Sequence, residues 1–240
     1  MKNLKLLRSV LLASLLIGLY SCQQEEEEPV YTPTEADAVA IVEEFVAQSS
    51  GGMTEEVAKL NESIQAKDLG DLDLECGVPF DTTLSYFLSG SASGSWIRNW
   101  NLLLNCPLTE NPFLEVVTDY TGSFDGYWRS SDREGTRQWV WSNLGPEGEY
   151  IYLNGAGQHG GNRSFNGPNQ ASFSWDHEAQ WTDVEIDKLT HIINSGSGTF
   201  TLTLTGPEGN THTFNGTIIF NGDQTATVTI NGEVYEVDLS

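Results

Sequence analysis

The sequence predicts a mainly β fold: an antiparallel β-sandwich or open barrel with a short N-terminal helical segment. Three observations predict it. From about residue 76, apolar residues alternate with polar ones instead of recurring at helical spacing. The runs are short, rich in Thr, Trp and Tyr, and separated by Gly, Pro and Asn turns. The C-terminus carries the strongest single signal, Asn231-Gly232 between the alternating runs Thr225–Ile230 and Glu233–Leu239. Both residues of such a tight turn need positive φ, which Asn and Gly tolerate. A two-residue loop sets Ile230 opposite Glu233, Val228 opposite Tyr235 and Ala226 opposite Val237.

The chain begins differently. Lys2, Lys5 and Arg8 precede the apolar run Val10–Leu19. This is the basic and apolar pattern of a secretory signal, and the run, about ten residues, is half of what a membrane span needs. Leu19-Tyr20-Ser21-Cys22 resembles the lipobox of bacterial lipoproteins, in which the cysteine thiol takes a diacylglycerol and cleavage occurs before it. Tyr20 is bulkier than that family's usual residue. Gln23, Gln24, Glu25, Glu26, Glu27 and Glu28 resemble the acidic export tag of Bacteroidota surface lipoproteins. The resemblance covers residues 1–28 alone. It implies a signal peptide at 1–21, lipid on Cys22, attachment to the outer membrane and exposure at the cell surface. Several acyl chains anchor stably where one does not. A merely solvated linker is the alternative for the glutamates. With Pro29 and Pro33, residues 22–33 form an extended acidic tether.

Residues 34–66 predict two short helices. Thr34 suits an N-cap, and Glu35 and Asp37 suit the positive end of the helix dipole. Ala38, Ile41, Val42, Phe45 and Val46 recur at helical spacing, and Gly51-Gly52 ends the run. Thr54-Glu55-Glu56 opens a second helix, with Val57, Leu60 and Ile64 on one side. These stripes are expected to pack on the β domain, residues 76–240; a partner surface is the alternative.

Strands are expected near 83–89, 94–105, 114–121, 135–143, 149–154 and 171–181, then around Phe200–Leu204, Phe214–Phe220 and the C-terminal hairpin. Gly-Pro-Glu-Gly occurs at Gly145–Gly148 and Gly206–Gly209, and each is followed by Asn-Gly, at Asn154-Gly155 and Asn215-Gly216. Similar turn chemistry explains this without an internal repeat.

Removal of residues 1–21 takes three of the eleven basic residues and leaves eight against 34 acidic ones. That excludes a nucleic-acid partner, which needs clustered Lys and Arg. It also leaves the lipid on Cys22 as the membrane attachment. Export is into an oxidising space, so Cys76 and Cys106 are expected to form a disulfide. It closes a loop of about 30 residues and stabilises by roughly 3–4 kcal/mol. A free thiol pair is the alternative.

The seven tryptophans invite a sugar-binding reading, but spacing favours a core. Trp96, Trp100, Leu102, Leu104 and Cys106 share one strand face, with the disulfide pointing inward. Arg98 shares it too and needs a partner there or an exposed strand end. Trp139 and Trp141 share a face, as do Ala171, Phe173, Trp175, Ala179 and Trp181. His177 interrupts that last set and reads as a hydrogen-bonded core or rim histidine. If an aromatic pair meets a ligand, it is Tyr127 with Trp128 in a loop, or Tyr150 with Tyr152. The glycine-rich Gly155–Arg163 reads as a mobile hairpin, in which His159 and Arg163 are the candidate ligand contacts. Asp71, Asp73 and Glu75, and Asp183, Glu185 and Asp187, fall on strand faces. Calcium needs six to eight oxygens, so a solvated face is the first reading and a Ca2+ site the alternative. No zinc spacing, HExxH or GxSxG is present.

These readings converge on a non-enzymatic, lipid-anchored surface lipoprotein whose β domain binds a partner, a glycan or an envelope protein, or serves a structural role. A carbohydrate-binding module and a glycosidase are the alternatives. An exposed aromatic row would favour the module. A concave pocket with two carboxylates about 5–10 Å apart would favour the hydrolase.

Overall fold

A computed structural model of the chain describes residues 31–48, 50–65, 74–89, 93–145, 147–165 and 171–240. Contacts divide the chain into Met1–Val30 and Tyr31–Ser240, and the second unit is described by itself.

Two helices come first, α1 (Glu35–Val46) and α2 (Met53–Gln65). Thr34 caps α1 as expected: its backbone N–H donates to the Asp37 carboxylate at 2.8 Å, and the Asp37 N–H donates back to the Thr34 hydroxyl. Gly51 has φ +72°, and a side chain at Gly52 would strike the Phe45 and Ala47 carbonyls. These two glycines let the chain reverse tightly between the helices. Ala38, Ile41, Val42, Phe45, Val46, Val57 and Leu60 are all buried in one core with the sheet. Among the described residues the apolar stripes therefore face inward and pack on the sheet.

Ten strands follow: β1 (Pro79–Leu88), β2 (Ser93–Asn105), β3 (Phe113–Asp125), β4 (Arg129–Ser142), β5 (Tyr150–Phe165), β6 (Ser172–Asp187), β7 (Ile193–Thr205), β8 (Thr211–Phe220), β9 (Thr225–Ile230) and β10 (Glu233–Asp238). All belong to one antiparallel sheet in sequence order, so each strand pairs with its chain neighbours. Among the described residues no pairing joins β1 to β10, and the sheet is open. The β9–β10 register is the one set by the two-residue turn, with φ +50° at Asn231 and +97° at Gly232.

The inner face is built in rows across the strands. One row reads Leu102, Val116, Trp139, Gly155, Trp181, Gly198, Ile218, Val228. Large aromatic groups alternate with glycine because a neighbouring ring occupies the space a side chain would need. A Cβ on Gly198 would lie 2.5 Å from the Trp181 ring, and one on Gly155 would lie 2.6 Å from Trp139. This corrects two expectations. Gly155–Arg163 is not a mobile hairpin but the middle of β5, the strand running from Tyr150 to Phe165. Asn154-Gly155 and Asn215-Gly216 lie within strands, not in turns; their glycines sit beside Trp139 and Phe200.

Trp100, Trp139, Trp141, Trp175 and Trp181 are buried, as the spacing predicts. The disulfide between Cys76 and Cys106 is present, with Cα atoms 5.6 Å apart. It does not point inward. Both cysteines are exposed, because β2 ends at Asn105 and its alternation stops before Cys106.

Candidate functional site

The charged layer lies between the helices and strands β2–β5. β4 places Arg129, Arg133 and Arg137 four residues apart, so all three share the inner face with Trp139 and Trp141. β2 adds Arg98 and β5 adds Arg163. These are all the arginines that follow Arg8 in the sequence. The helices answer with Glu44 from α1 and Glu55 and Glu56 from α2.

Glu56 is buried and pairs with Arg137. The Thr118 hydroxyl donates to its other oxygen at 2.7 Å, and the Trp139 indole N–H reaches that oxygen at 3.4 Å. Burial alone would push the Glu56 carboxyl up. Arg137, Arg98 and the Thr118 hydrogen bond outweigh it and hold the pKa below the ordinary carboxylate value. Arg98 pairs with Glu55 at 3.1 Å and also donates to the Gly51 carbonyl. It thus finds the partner its buried position demands. Glu44 is shared, one oxygen to Arg129 and the other to Arg163. Arg133 donates to the Ser50 carbonyl. Among the described residues it has no carboxylate within ion-pair distance. The helix–helix turn is therefore held by arginines from β2 and β4.

Two histidines lie in the adjoining row, which runs Arg98, Tyr120, Gly135, His159, His177, Leu202. His159 accepts from the Arg137 Nε–H at 3.3 Å through its own Nε2. Burial, then Arg137, His177 and Arg133, depress its pKa well below the ordinary value. His177 is buried against Phe45 and Phe200, with ring centroids 4.1 and 5.7 Å away. Neither of its nitrogens has a hydrogen-bond partner. Burial and Arg137 lower its pKa to about 3, so the ring is neutral. The spacing placed it correctly in the core but wrongly supplied it with a hydrogen bond.

A cavity of about 340 Å³ opens at one end of this layer, between α1 and β2–β4. Its walls include Trp96, Phe124, Arg129, Ser131, Arg133 and Glu43. The Arg133 guanidinium lies 5.7 Å from the Trp96 ring centre, and that of Arg129 lies 5.4 Å from Phe124. Gly122 leaves room for Trp96, since a Cβ there would overlap the indole.

The candidate contacts named from sequence separate into two places. His159 and Arg163 are buried in the layer, 5% and 2% exposed. Tyr127 and Trp128 stand out at the β3–β4 turn, 77% and 69% exposed, packed edge to face with centroids 4.6 Å apart. That turn joins the strand ends that supply Phe124 and Arg129. Tyr150 and Tyr152 lie on the outer face of β5, opposite Asp187 and Glu185. The exposed strand aromatics among the described residues, Phe87 and Tyr152, lie on β1 and β5 and form no row.

Asp183, Glu185 and Asp187 lie on the outer face of β6, at and beyond a bulge. Asp187 accepts the Leu189 and Thr190 N–H groups, and Glu185 accepts from Asn194. Among the described residues no group of three or more His, Cys, Asp or Glu is arranged to hold a metal ion. Asp71, Asp73, Cys22 and Gln23–Glu28 lie outside the described residues.

Sequence reasoning missed the arginine row because it started β4 at residue 135, which takes in Arg137 but leaves out Arg129 and Arg133. Carrying the odd-numbered face of Trp139 back six more residues would have aligned all three. No family model matches this chain, and no curated protein or solved structure is similar to it.

Proposed function

We propose that the protein is a lipid-anchored lipoprotein of the outer membrane, exposed at the cell surface, whose β domain binds a small ligand. The observation that carries binding is the arginine-walled cavity between α1 and β2–β4. Its volume, about 340 Å³, falls in the range of ligand sites. Its arginines, Arg129 and Arg133, project from one face of β4, a rigid base for a binding site. The anchor is supported by the lipobox-like Leu19–Cys22 and the acidic run after it.

Ion pairing favours binding over hydrolysis. A glycosidase acid needs a carboxyl whose pKa is raised. Glu56 is shifted the other way, and Glu44 and Glu55 are paired with arginine. The same inward arginines leave Lys59 and Lys188 as the described cations outside the layer, a poor surface for nucleic acid.

The anchor is tested by labelling cells with a fatty-acid analogue. The chain should take up label, and Cys22→Ala should not. Label retained by the variant would refute the anchor. Replacing Glu25–Glu28 by alanine should reduce cleavage by protease added to intact cells; unchanged cleavage would make the acids a plain linker.

A further inference from the structure

We infer that the cavity between α1 and β2–β4 recognises an acidic sugar, an oxyanion carried on a hydroxylated ring. The inference rests on the binding reading above and names its ligand class.

Arg133 supplies the anion site. Its guanidinium lines the cavity, donates to a backbone carbonyl and has no carboxylate partner among the described residues. An arginine fork matches the planar oxygens of a carboxylate and equally meets a sulfate ester. Arg129 stands on the same strand face, one of its nitrogens spent on Glu44 and its side chain 41% exposed. Arg98, Arg137 and Arg163 lie behind and add positive potential, against Glu44, Glu55 and Glu56. The chain as a whole carries a net charge of −23, so this pocket runs against the sign of its surroundings.

The rest of the wall suits a sugar ring. Trp96 and Phe124, each with a guanidinium over its ring, line the wall and offer apolar atoms for the ring C–H groups. Glu43 offers carboxylate acceptors and Ser131 a hydroxyl, the groups that meet sugar hydroxyls. Glu43 also sets the limit on charge: one oxyanion fits the balance and a polyanion does not. Gly122 is needed because Trp96 lies against β3 there.

The test is calorimetric titration of the detergent-solubilised full chain with galacturonate, glucuronate and N-acetylglucosamine 6-sulfate, beside galactose and sodium sulfate. At least one acidic sugar should bind with sub-millimolar Kd. Arg133→Met and Arg129→Gln should each weaken it about tenfold or more, with near-ultraviolet circular dichroism unchanged. Trp128→Ala, at the exposed turn, should leave affinity as it was. Should Arg133→Met fail to fold, the half-exposed Arg129 variant decides. Undiminished binding in the folded arginine variants would overturn the site. Sulfate alone binding as tightly as the sulfated sugar would overturn the sugar and mark a simple anion site. Galactose binding where the acids do not would overturn the inference and leave the binding reading standing. Silence here and across a broad glycan and metabolite panel would remove both.

Discussion

The two halves of the inner face solve the same packing problem differently. Two rows that begin on β2 cross the sheet and change character between β5 and β7. One starts Arg98, Tyr120, Gly135, His159 and ends His177, Leu202, Phe214. Another starts Trp96, Gly122, Arg133, Gly161 and continues Trp175, Leu204. The β6–β9 half is closed by Trp181, Phe200, Leu202, Ile218 and Val228 in an apolar core. The β2–β5 half adds ion pairs with α1 and α2 to its own apolar residues, among them Leu102, Val116 and Trp139. Apolar packing needs only shape and volume, whereas a buried arginine needs a partner at one distance and direction. The charged half therefore depends on where the helices sit, and the cavity opens on that half.

The sharpest way to break the comparison is Glu56→Ala. It strands Arg137 in the layer and should cost about 3–5 kcal/mol in urea denaturation, whereas Glu56→Leu with Arg137→Met should come out near neutral. A single-variant loss below about 1 kcal/mol would show that the pair carries no special burden. Next is the disulfide, which ties the segment before β1 to the end of β2 on the charged half. Cys76→Ser with Cys106→Ser should lower stability by roughly 3–4 kcal/mol. An unchanged unfolding midpoint would mean that the β1 edge needs no staple.

His177 sits at the border between the halves. Its folded pKa is about 3 and its unfolded value about 6.5. Below pH 6.5 the unfolded chain binds a proton that the folded chain refuses, so stability falls as pH falls. At pH 5 the loss from this residue is about 2 kcal/mol. His177→Phe should match the stability of wild type at pH 7 or exceed it, and should flatten the decline between pH 7 and 5. A slope identical to wild type would remove His177 as its source. Glu56 acts in the same direction at lower pH: its depressed pKa adds stability above the ordinary carboxylate range that is lost on further acidification. The smallest effect is expected far from both halves' contacts. Gly232→Ala puts a side chain at φ +97° and should cost about 1–2 kcal/mol by thermal unfolding while leaving ligand affinity unchanged.

Much of this was legible one strand at a time. Period-two alternation placed Trp139 and Trp141 together, Asn231-Gly232 set a register, and Thr34 capped a helix. Each of these depends on neighbours a few residues away or on a turn of known length. The failures came where a strand outran its apolar signal. Arg129–Arg133 and Gly155–Arg163 read as loops because arginine and glycine carry little strand preference alone. They belong to strands because the tertiary structure supplies the missing half of the contact, the Trp139 ring beside Gly155 and helix glutamates for Arg129 and Arg163. The inward disulfide failed for the same reason in reverse: alternation was carried one residue past the strand.

By itself the sequence determined an antiparallel β domain with a helical preface, a tryptophan core, the cysteine pair and the C-terminal hairpin, since local periodicity and turn geometry suffice for these. Only the tertiary structure decided that the strands form one open sheet, that the helices lie on its inner face, and that Glu44, Glu55 and Glu56 meet arginines up to 119 residues away. Ion pairing over that separation has no local signature. It exists because packing brings α1, α2 and strands β2–β5 to one place, and the cavity beside Arg133 is made by the same meeting.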